Sequence, residues 1–322
     1  MKYTFLLPAY KAPFLREALA SILAQTYTDF QVIVSDDCSP EDLKSIVDEF
    51  ADDERLVYRR NETNIGGRDL VKHWNMLVDL CRTEWLILAS DDDVYHSHFL
   101  EEIDRLQRKY PEVDLIRARC QTIDKNGEVT RVEMPMDERV SQAEFMAYFA
   151  APRSIQCIAN YVFRASSLSR RGGFVNYPYA WGSDDMAVAY AAAKGMAATK
   201  EVLFSFRQSG LNISSHKVSF EETRDRLVAR MRLECDRMAL VEEIGDTGDS
   251  LTRLYLKIFV GWHKKFFRHV LMVDGYILPL KTLPGIVRKY RSYFPTRYYI
   301  YLFYRAWIEK RIFKKRIRGK AI

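Results

Sequence analysis

The sequence predicts an α/β fold, a mostly parallel sheet with flanking helices, followed by a C-terminal α-helical extension that is basic and aromatic. Three observations carry that expectation. Apolar runs of strand length alternate with segments of helical period through the first hundred residues. This β-α-β-α-β-α-β order calls for parallel strands covered on both faces. The charge also splits along the chain: residues 251–322 hold 18 of the 49 Lys and Arg but only 2 of the 43 Asp and Glu.

The elements follow in order. Tyr3-Thr-Phe-Leu-Leu7, stopped by Pro8, reads as a buried strand. Phe14 to Ala24 carries apolar residues at 14, 15, 18, 19, 22 and 23, a helical period. Phe30-Gln-Val-Ile-Val34 is a second strand. Ser39-Pro-Glu-Asp42 predicts an N-cap at Ser39 with Pro at the first helical position, opening a helix to about Phe50. Leu56-Val-Tyr58 is a third strand, Leu70 to Leu80 a helix, and Glu84-Trp-Leu-Ile-Leu-Ala89 a fourth strand. Phe99 to Tyr110 is a helix ended by Pro111. Asp114 to Ile123 and Glu128 to Glu133 flank Asp124-Lys-Asn-Gly127, a hairpin signal. Ile158 to Arg164 reads as a strand, Asp184 to Lys194 as a helix and Thr199 to Phe206 as the last strand. From Glu221 the pattern is helical: Glu221 to Glu243, Leu251 to Val273, then shorter pieces. The expected division is into residues 1–215 and 216–322.

Composition narrows the class. With 48% hydrophobic and 29% charged residues the chain can bury a sizeable core, which argues against wholesale disorder. The longest weakly charged stretch, Val270 to Val287, is broken by Asp274, Pro279, Lys281 and Pro284, so no transmembrane helix is expected. The start turns polar at Pro8 to Lys11, too early for a signal-peptide core. Five scattered cysteines without C-x-x-C spacing argue against a disulfide framework or a zinc site, and for a reducing compartment. No G-x-G-x-x-G follows the first strand, which excludes a dinucleotide-dependent oxidoreductase.

Parallel sheets of this kind bind ligands outside the carboxyl ends of their strands. There the sequence places Pro8-Ala-Tyr10, Ser35-Asp-Asp-Cys-Ser39, Asn61-Glu-Thr-Asn-Ile-Gly-Gly-Arg68 and Ser90-Asp-Asp-Asp93. As many as five aspartates would surround one pocket. Three in a row repel one another unless a cation or hydrogen bonds compensate. Oxygen-only ligands suit Mg2+ or Mn2+ shared with substrate phosphates. An acidic turn capping the next helix accounts for the same residues without a metal.

These segments, with Ser21-Ile-Leu-Ala-Gln-Thr26, Asn64-Ile-Gly66, Trp74-Asn75 and Trp85-Leu-Ile-Leu-Ala-Ser-Asp-Asp-Asp93, resemble the inverting family 2 glycosyltransferases of the GT-A fold. The resemblance covers roughly residues 1–215. It implies that Pro8, Ala9 and Tyr10 form the loop contacting the nucleobase. It implies that Asp36 and Asp37 are the acidic pair of which one meets the base's N–H edge. A carboxylate accepting from an imide N–H favours uracil, hence a UDP-linked donor. Asn64, Gly66 and Arg68 match the loop that closes over the nucleotide and its diphosphate. Ser90 to Asp93 stands where the family has its DxD-type motif, with Ser90 at the first Asp, a departure that leaves the ribose contact open. Asp92 is the implied ligand for Mn2+ or Mg2+, with Asp93 and the donor-side Asp91 as supporting carboxylates.

The family's general base is an Asp, usually preceded by Glu, opening a helix that ends about eleven residues on in Gly. Trp181-Gly-Ser-Asp-Asp-Met186 opens such a helix and Gly195 closes it. The count gives Asp184, with Ser183 in the Glu position and Asp185 as the rival; both also read as helix caps. Arg207 reads either as a phosphate partner or as an exposed structural residue. His216 reads as a surface residue or, less favoured, a metal or phosphate contact. His96 and His98 read as structural, Trp74 as packing or a pocket wall, and Trp181 as packing or a sugar-stacking face.

The tail interleaves aromatic and basic residues, Tyr255 to Arg268 and then Tyr298 to Arg318. Such amphipathic helices suit the surface of an anionic bilayer. A solvated helical packing domain is the bland alternative, and nucleic acid is disfavoured because no nucleic-acid motif is present. The resulting expectation is a metal-dependent inverting hexosyltransferase, peripheral on the cytoplasmic (inner) membrane face. It would extend a polysaccharide or a lipid-linked oligosaccharide. The alternative is a catalytically silent nucleotide-sugar-binding or scaffold protein.

Overall fold

The computed structural model describes residues 1–150, 154–211, 219–274 and 283–289, with the pairs 299–300, 303–304 and 307–308. His216, and the tail from 290 onward apart from those pairs, lie outside the described residues. The chain divides into two compact units, Met1–His216 and Lys217–Ile322.

The first unit is built on a mixed, mostly parallel sheet. β1 (Tyr3–Ala9), β2 (Phe30–Asp36), β3 (Leu56–Arg60) and β4 (Trp85–Leu88) run parallel in the order β3-β2-β1-β4. Their alternation explains the layers. Phe5, Leu7, Val32, Val34, Trp85 and Ile87 face one apolar cluster, while Leu6, Ile33, Leu86 and Leu88 face the other. A period of two with both sides apolar demands cover on both faces. α1 (Leu15–Leu23), α2 (Leu43–Asp48) and α4 (Phe99–Lys109) supply the first cover. α3 (Leu70–Leu80), α5 (Gln142–Ala150), α6 (Ala165–Ser169) and α7 (Ser183–Ala191) supply the second.

The sheet continues through β5 (Val94–Tyr95), β6 (Leu115–Ile123), β7 (Val129–Val132), β8 (Arg139–Val140), β9 (Tyr161–Arg164) and β10 (Met196–Arg207). β9 lies antiparallel between β4 and β6, and β10 runs parallel to β6. β6 and β7 form the expected hairpin. β5 and β8 pair antiparallel with β10 and are two residues each, too short to leave a period in the sequence. The architecture is the mostly parallel α/β sheet with flanking helices that the sequence predicts.

Several boundaries differ from expectation; β9, read from Ile158, begins at Tyr161, because Ile158–Asn160 close a tight helical turn. α2 starts at Leu43 and its cap is Asp42, whose Oδ1 accepts Ser45 N–H at 3.1 Å. Ser39 Oγ donates to Tyr10 O at 2.7 Å and accepts Glu41 N–H at 3.1 Å, so it shapes the turn ahead of the helix rather than its first turn. β10 begins at Met196, three residues earlier than read, with register shifts between Ala198 and Phe204 that disrupt its pattern.

The second unit is helical. α8 (Phe220–Thr247) is capped by Ser219, whose Oγ accepts Glu222 N–H at 3.0 Å, and packs against α9 (Ser250–Asp274). Leu227, Leu233 and Leu240 of α8 and Leu256, Phe259, Phe267 and Val270 of α9 are buried. α10 (Leu283–Lys289) follows. Among the described residues no helix is long and apolar enough to cross a membrane.

Candidate functional site

Strand register sets the site. Ala9 stands opposite Asp36, and Asp37 N–H donates to Ala9 O at 2.9 Å. The loop after β1 is braced from two sides. Ser39 holds Tyr10 O, and Asp91 Oδ2 accepts both Tyr10 N–H and Lys11 N–H at 2.9 Å. Tyr10 itself is 44% exposed, so its ring lies open at the loop's surface.

Asp36 and Asp37 are consumed largely by the protein. Asp36 is fully buried, accepts Tyr58 O–H at 2.6 Å and is paired with Arg60. Asp37 pins the loop after β3: Oδ1 accepts Asn61 Nδ2 at 2.8 Å and Ile65 N–H at 2.9 Å, and Oδ2 accepts Gly66 N–H at 2.7 Å. A Cβ on Gly66 would stand 3.0 Å from that Oδ2, so the close approach favours glycine. Asn64 shapes the same loop, its Oδ1 accepting Gly67 N–H at 2.6 Å, and Arg68 is exposed at its end. Beneath lies His73, 3.7 Å from Asp37 and 2.9 Å from Ser35 Oγ. Burial pulls its imidazole below the usual range, against the opposing pull of Asp37.

The three successive aspartates point three ways. Asp91 holds the first loop. Asp92 meets Lys11 Nζ at 3.1 Å, and the same ammonium is 3.3 Å from Asp91 Oδ1. Asp93 is fully buried, accepts Arg207 N–H at 2.9 Å and has Cys157 Sγ at 3.8 Å. Burial, reinforced by the neighbouring charge of Asp92, pushes the Asp93 carboxyl up to about 8. The shift favours the neutral acid and so eases the repulsion within the triplet. Asp92 is also raised, by burial first, with Lys11 opposing and Asp91 adding. Burial works against the Lys11 ammonium, but Asp91 and Asp92 outweigh it and raise its pKa.

Among the described residues no three His, Cys, Asp or Glu side chains converge on one point. A divalent cation here would rest on Asp92 with Asp91 beside it, and on phosphate oxygens of a ligand for the remaining positions. This is an oxygen donor set that suits Mg2+ or Mn2+. Asp93 faces the interior and stands apart from that pair.

α7 brings the other carboxylates. Gly182, at φ 91°, turns the chain into the helix, and Asp184 and Asp185 occupy its first turn, where the helix dipole favours negative charge. Gly195, at φ 80°, ends the segment after a short tight turn. Ser183 is fully buried and its Oγ accepts Tyr177 N–H at 3.4 Å. Asp185 Oδ1 accepts Gln156 Nε2 at 2.9 Å. Behind Gln156 stands a buried network. Its Oε1 accepts Tyr161 O–H at 3.2 Å, and Tyr161 Oη accepts Arg117 Nε at 3.0 Å. Arg117 also makes two 2.7 Å bonds to Glu133. Cys157 lies against Asp93 of the triplet. Burial raises its thiol, and the fields of Asp93 and, more weakly, Asp184 add to that rise.

The remaining candidates resolve differently. Arg207 is buried, neither exposed nor open to a phosphate. Its Nε donates to Asp92 O at 2.8 Å, its guanidinium pairs with Glu17 at 2.6 Å, and it lies 4.6 Å from the Phe14 ring centroid. Trp74 packs edge-on against Phe174, and His98 pairs with Glu101 at the surface. Sequence reasoning missed Lys11, Gln156 and Cys157. Lys11 directly follows the first-strand motif and was the one with a visible signal, its charge.

The sequence pattern described as Glycosyl transferase family 2 matches residues 4–172, more than half of the chain. An uncharacterized glycosyltransferase of Haemophilus influenzae is 27% identical over 128 residues, 39% of this chain and 41% of that protein. The poly(ribitol-phosphate) beta-N-acetylglucosaminyltransferase TarS of Staphylococcus aureus is 29% identical over 105 residues, 32% of this chain and 18% of that one. In both cases the match spans less than half of the relative's length. Residues 1–349 of S. aureus TarS in complex with UDP-GlcNAc superpose with a TM-score of 0.63 at 18% identity, covering 99% of this chain and 92% of that one. The mannosyltransferase PcManGT of Pyrobaculum calidifontis in complex with GDP-Man and Mn2+ gives 0.50 at 16% identity, over 95% and 86%. At these identities the superpositions speak to fold alone.

Proposed function

The chain belongs to glycosyl transferase family 2, and from that premise we propose that it is an inverting, metal-dependent hexosyltransferase with a UDP-linked donor. The observation that carries the reading is the aspartate cluster at the strand ends, Asp91 and Asp92 around the Lys11 ammonium, with a second carboxylate pair, Asp184 and Asp185, in the first turn of α7. Inverting transfer needs such a division: a cation-binding group under the leaving diphosphate and a base on the opposite side of the sugar. The TarS structure holding UDP-GlcNAc supports a UDP donor, and the mannosyltransferase holding Mn2+ supports a divalent cation.

In this reading the loop of Pro8, Ala9 and Tyr10 receives the base. Asp37 is its carboxylate partner, because Asp36 is saturated and fully buried, while among the described residues Asp37 Oδ2 accepts one hydrogen bond, from Gly66 N–H. Asn64, Gly66 and Arg68 line the diphosphate side. A bound Mn2+ or Mg2+ would stabilise the charge growing on the leaving nucleoside diphosphate. Asp184 takes the proton of the acceptor hydroxyl as its oxygen bonds to the anomeric carbon. The carbon–diphosphate bond breaks with its electron pair leaving on phosphate. Asp185 is held aside by Gln156.

Thermal unfolding with UDP and GDP, each with Mn2+ or EDTA, tests the donor site. UDP with Mn2+ at about 100-fold above Kd should raise Tm by roughly 5–10 °C, and EDTA should remove most of that rise. No shift with either nucleotide would leave a silent scaffold as the better reading.

The acceptor is proposed to be a polysaccharide or lipid-linked saccharide at the inner, cytoplasmic membrane face, reached through the helical unit. Leu254, Ile258, Trp262 and Phe266 form an exposed ridge on α9, beside exposed Arg253, Lys257 and Lys265. A ridge of this kind suits the headgroup boundary of an anionic bilayer. Co-sedimentation with phosphatidylglycerol vesicles should be strong for the intact chain and weak for the Trp262→Glu/Phe266→Glu variant. Equal sedimentation of the two would discard the membrane role for this ridge.

A further inference from the structure

Lys11 is absent from every role assigned so far, yet it occupies the centre of the aspartate cluster. Its backbone N–H is fixed by Asp91 Oδ2 at 2.9 Å, and its side chain returns to the same carboxylates. Nζ stands 3.3 Å from Asp91 Oδ1 and 3.1 Å from Asp92 Oδ2. Both carboxylates are more than nine-tenths buried, whereas the lysine side chain is 28% exposed. Two adjacent desolvated carboxylates thus share one compact, mobile ammonium. An ammonium is a point charge on a flexible stem, able to leave without dragging a planar fork through the site.

The oxygens that Lys11 holds are those that a divalent cation would need. We infer that Lys11 is the resident counter-ion of the cation site. It neutralises Asp91 and Asp92 while the donor is absent and must withdraw before a divalent cation binds. This rests on the reading of Asp92 and Asp91 as the cation-binding pair. It adds that the free protein binds the cation weakly and that nucleotide and cation load together. The diphosphate offers the displaced ammonium a new anionic partner and supplies the cation's missing oxygens. By thermodynamic reciprocity Mn2+ then strengthens UDP binding by the factor by which UDP strengthens Mn2+ binding.

The test is direct Mn2+ titration of the full chain, read from the electron paramagnetic resonance signal of free Mn2+, with and without UDP. Without UDP, Lys11→Met should bind Mn2+ at least about tenfold more tightly than the unmodified protein, a low figure for removing a charge so close to two partly desolvated carboxylates. Lys11→Arg, which keeps the charge, should bind no more tightly than the unmodified protein. In EDTA, Lys11→Met should melt lower, and Mn2+ should restore it. Lys11→Gln serves as a second neutral variant should the apolar one fold poorly. Equal Mn2+ affinity of the neutral variants and the unmodified protein overturns the inference while leaving the cation site intact. Failure of all forms to bind Mn2+ even with UDP overturns it together with the metal-dependent reading.

Discussion

Asp184→Asn is expected to lower kcat by about 10²- to 10⁴-fold, the usual worth of a positioned general base, while donor affinity stays near that of the unmodified protein. The amide is nearly isosteric with the carboxylate but cannot take the acceptor's proton. Asp184 and Asp185 are neighbours in the first turn of α7, so a change at either leaves the helix dipole's other carboxylate in place. Their surroundings separate them. Asp185 accepts from Gln156, whose amide is itself fixed by Tyr161. Asp184 stands one residue earlier, at the start of the helix after Gly182. Asp185→Asn should therefore cost less turnover, through lost alignment. The measurement is single-turnover sugar transfer alongside UDP binding for both variants. Full activity in Asp184→Asn with loss in Asp185→Asn would move the base by one residue.

Arg117→Met is expected to destabilise the fold by about 3–5 kcal/mol, the usual cost of stranding one partner of a buried ion pair. Arg117 and Glu133 are both essentially inaccessible, and Glu133 also accepts Ile155 N–H at 2.8 Å. Burial works against the guanidinium's charge, but Tyr161 and Glu133 more than offset it. Removing the cation leaves a carboxylate without its main partner in a dry interior. Adding Glu133→Leu to Arg117→Met should recover much of the loss, because well-packed apolar pairs replace buried ion pairs with little penalty. Urea unfolding of the single and double variants checks this. A single-variant loss under about 1 kcal/mol, comparable to that of an exposed pair, would mean that water reaches Glu133. The same arginine supports Tyr161 and, through it, Gln156, so the single variant should also turn over more slowly under conditions where it remains folded.

The fold was legible where burial is periodic. β1, β2 and β4 are apolar on both faces, and their strand-end loops with the five aspartates were visible as polar clusters. What those aspartates do was not. Asp91, Asp92 and Asp93 are identical in sequence terms, yet Asp91 binds a backbone far upstream, Asp92 a lysine and Asp93 an interior N–H far downstream. Adjacent residues diverge in direction, and only the tertiary pairing says what each one meets. Ser39 looked like a cap because its hydroxyl does serve a local turn, accepting Glu41 N–H, but the helix opens later, with Asp42 as its cap. Gln156 falls between β8 and β9, where no motif stood out, and Glu133 ends the expected hairpin with nothing to mark its role; their partnership rests on Arg117 and Tyr161 from two different strands.

The placement of β9 has a consequence for biogenesis. β9 is the strip that joins the first four parallel strands to β6 and β10. On a ribosome the apolar edge of β4, Trp85-Leu-Ile-Leu88, emerges long before Tyr161 does. At about 5–20 residues per second that edge waits several seconds for its neighbour. An uncapped apolar strand is a template for intermolecular pairing, so the nascent chain passes through a window of aggregation risk that closes when β9 is threaded between the two halves of the sheet.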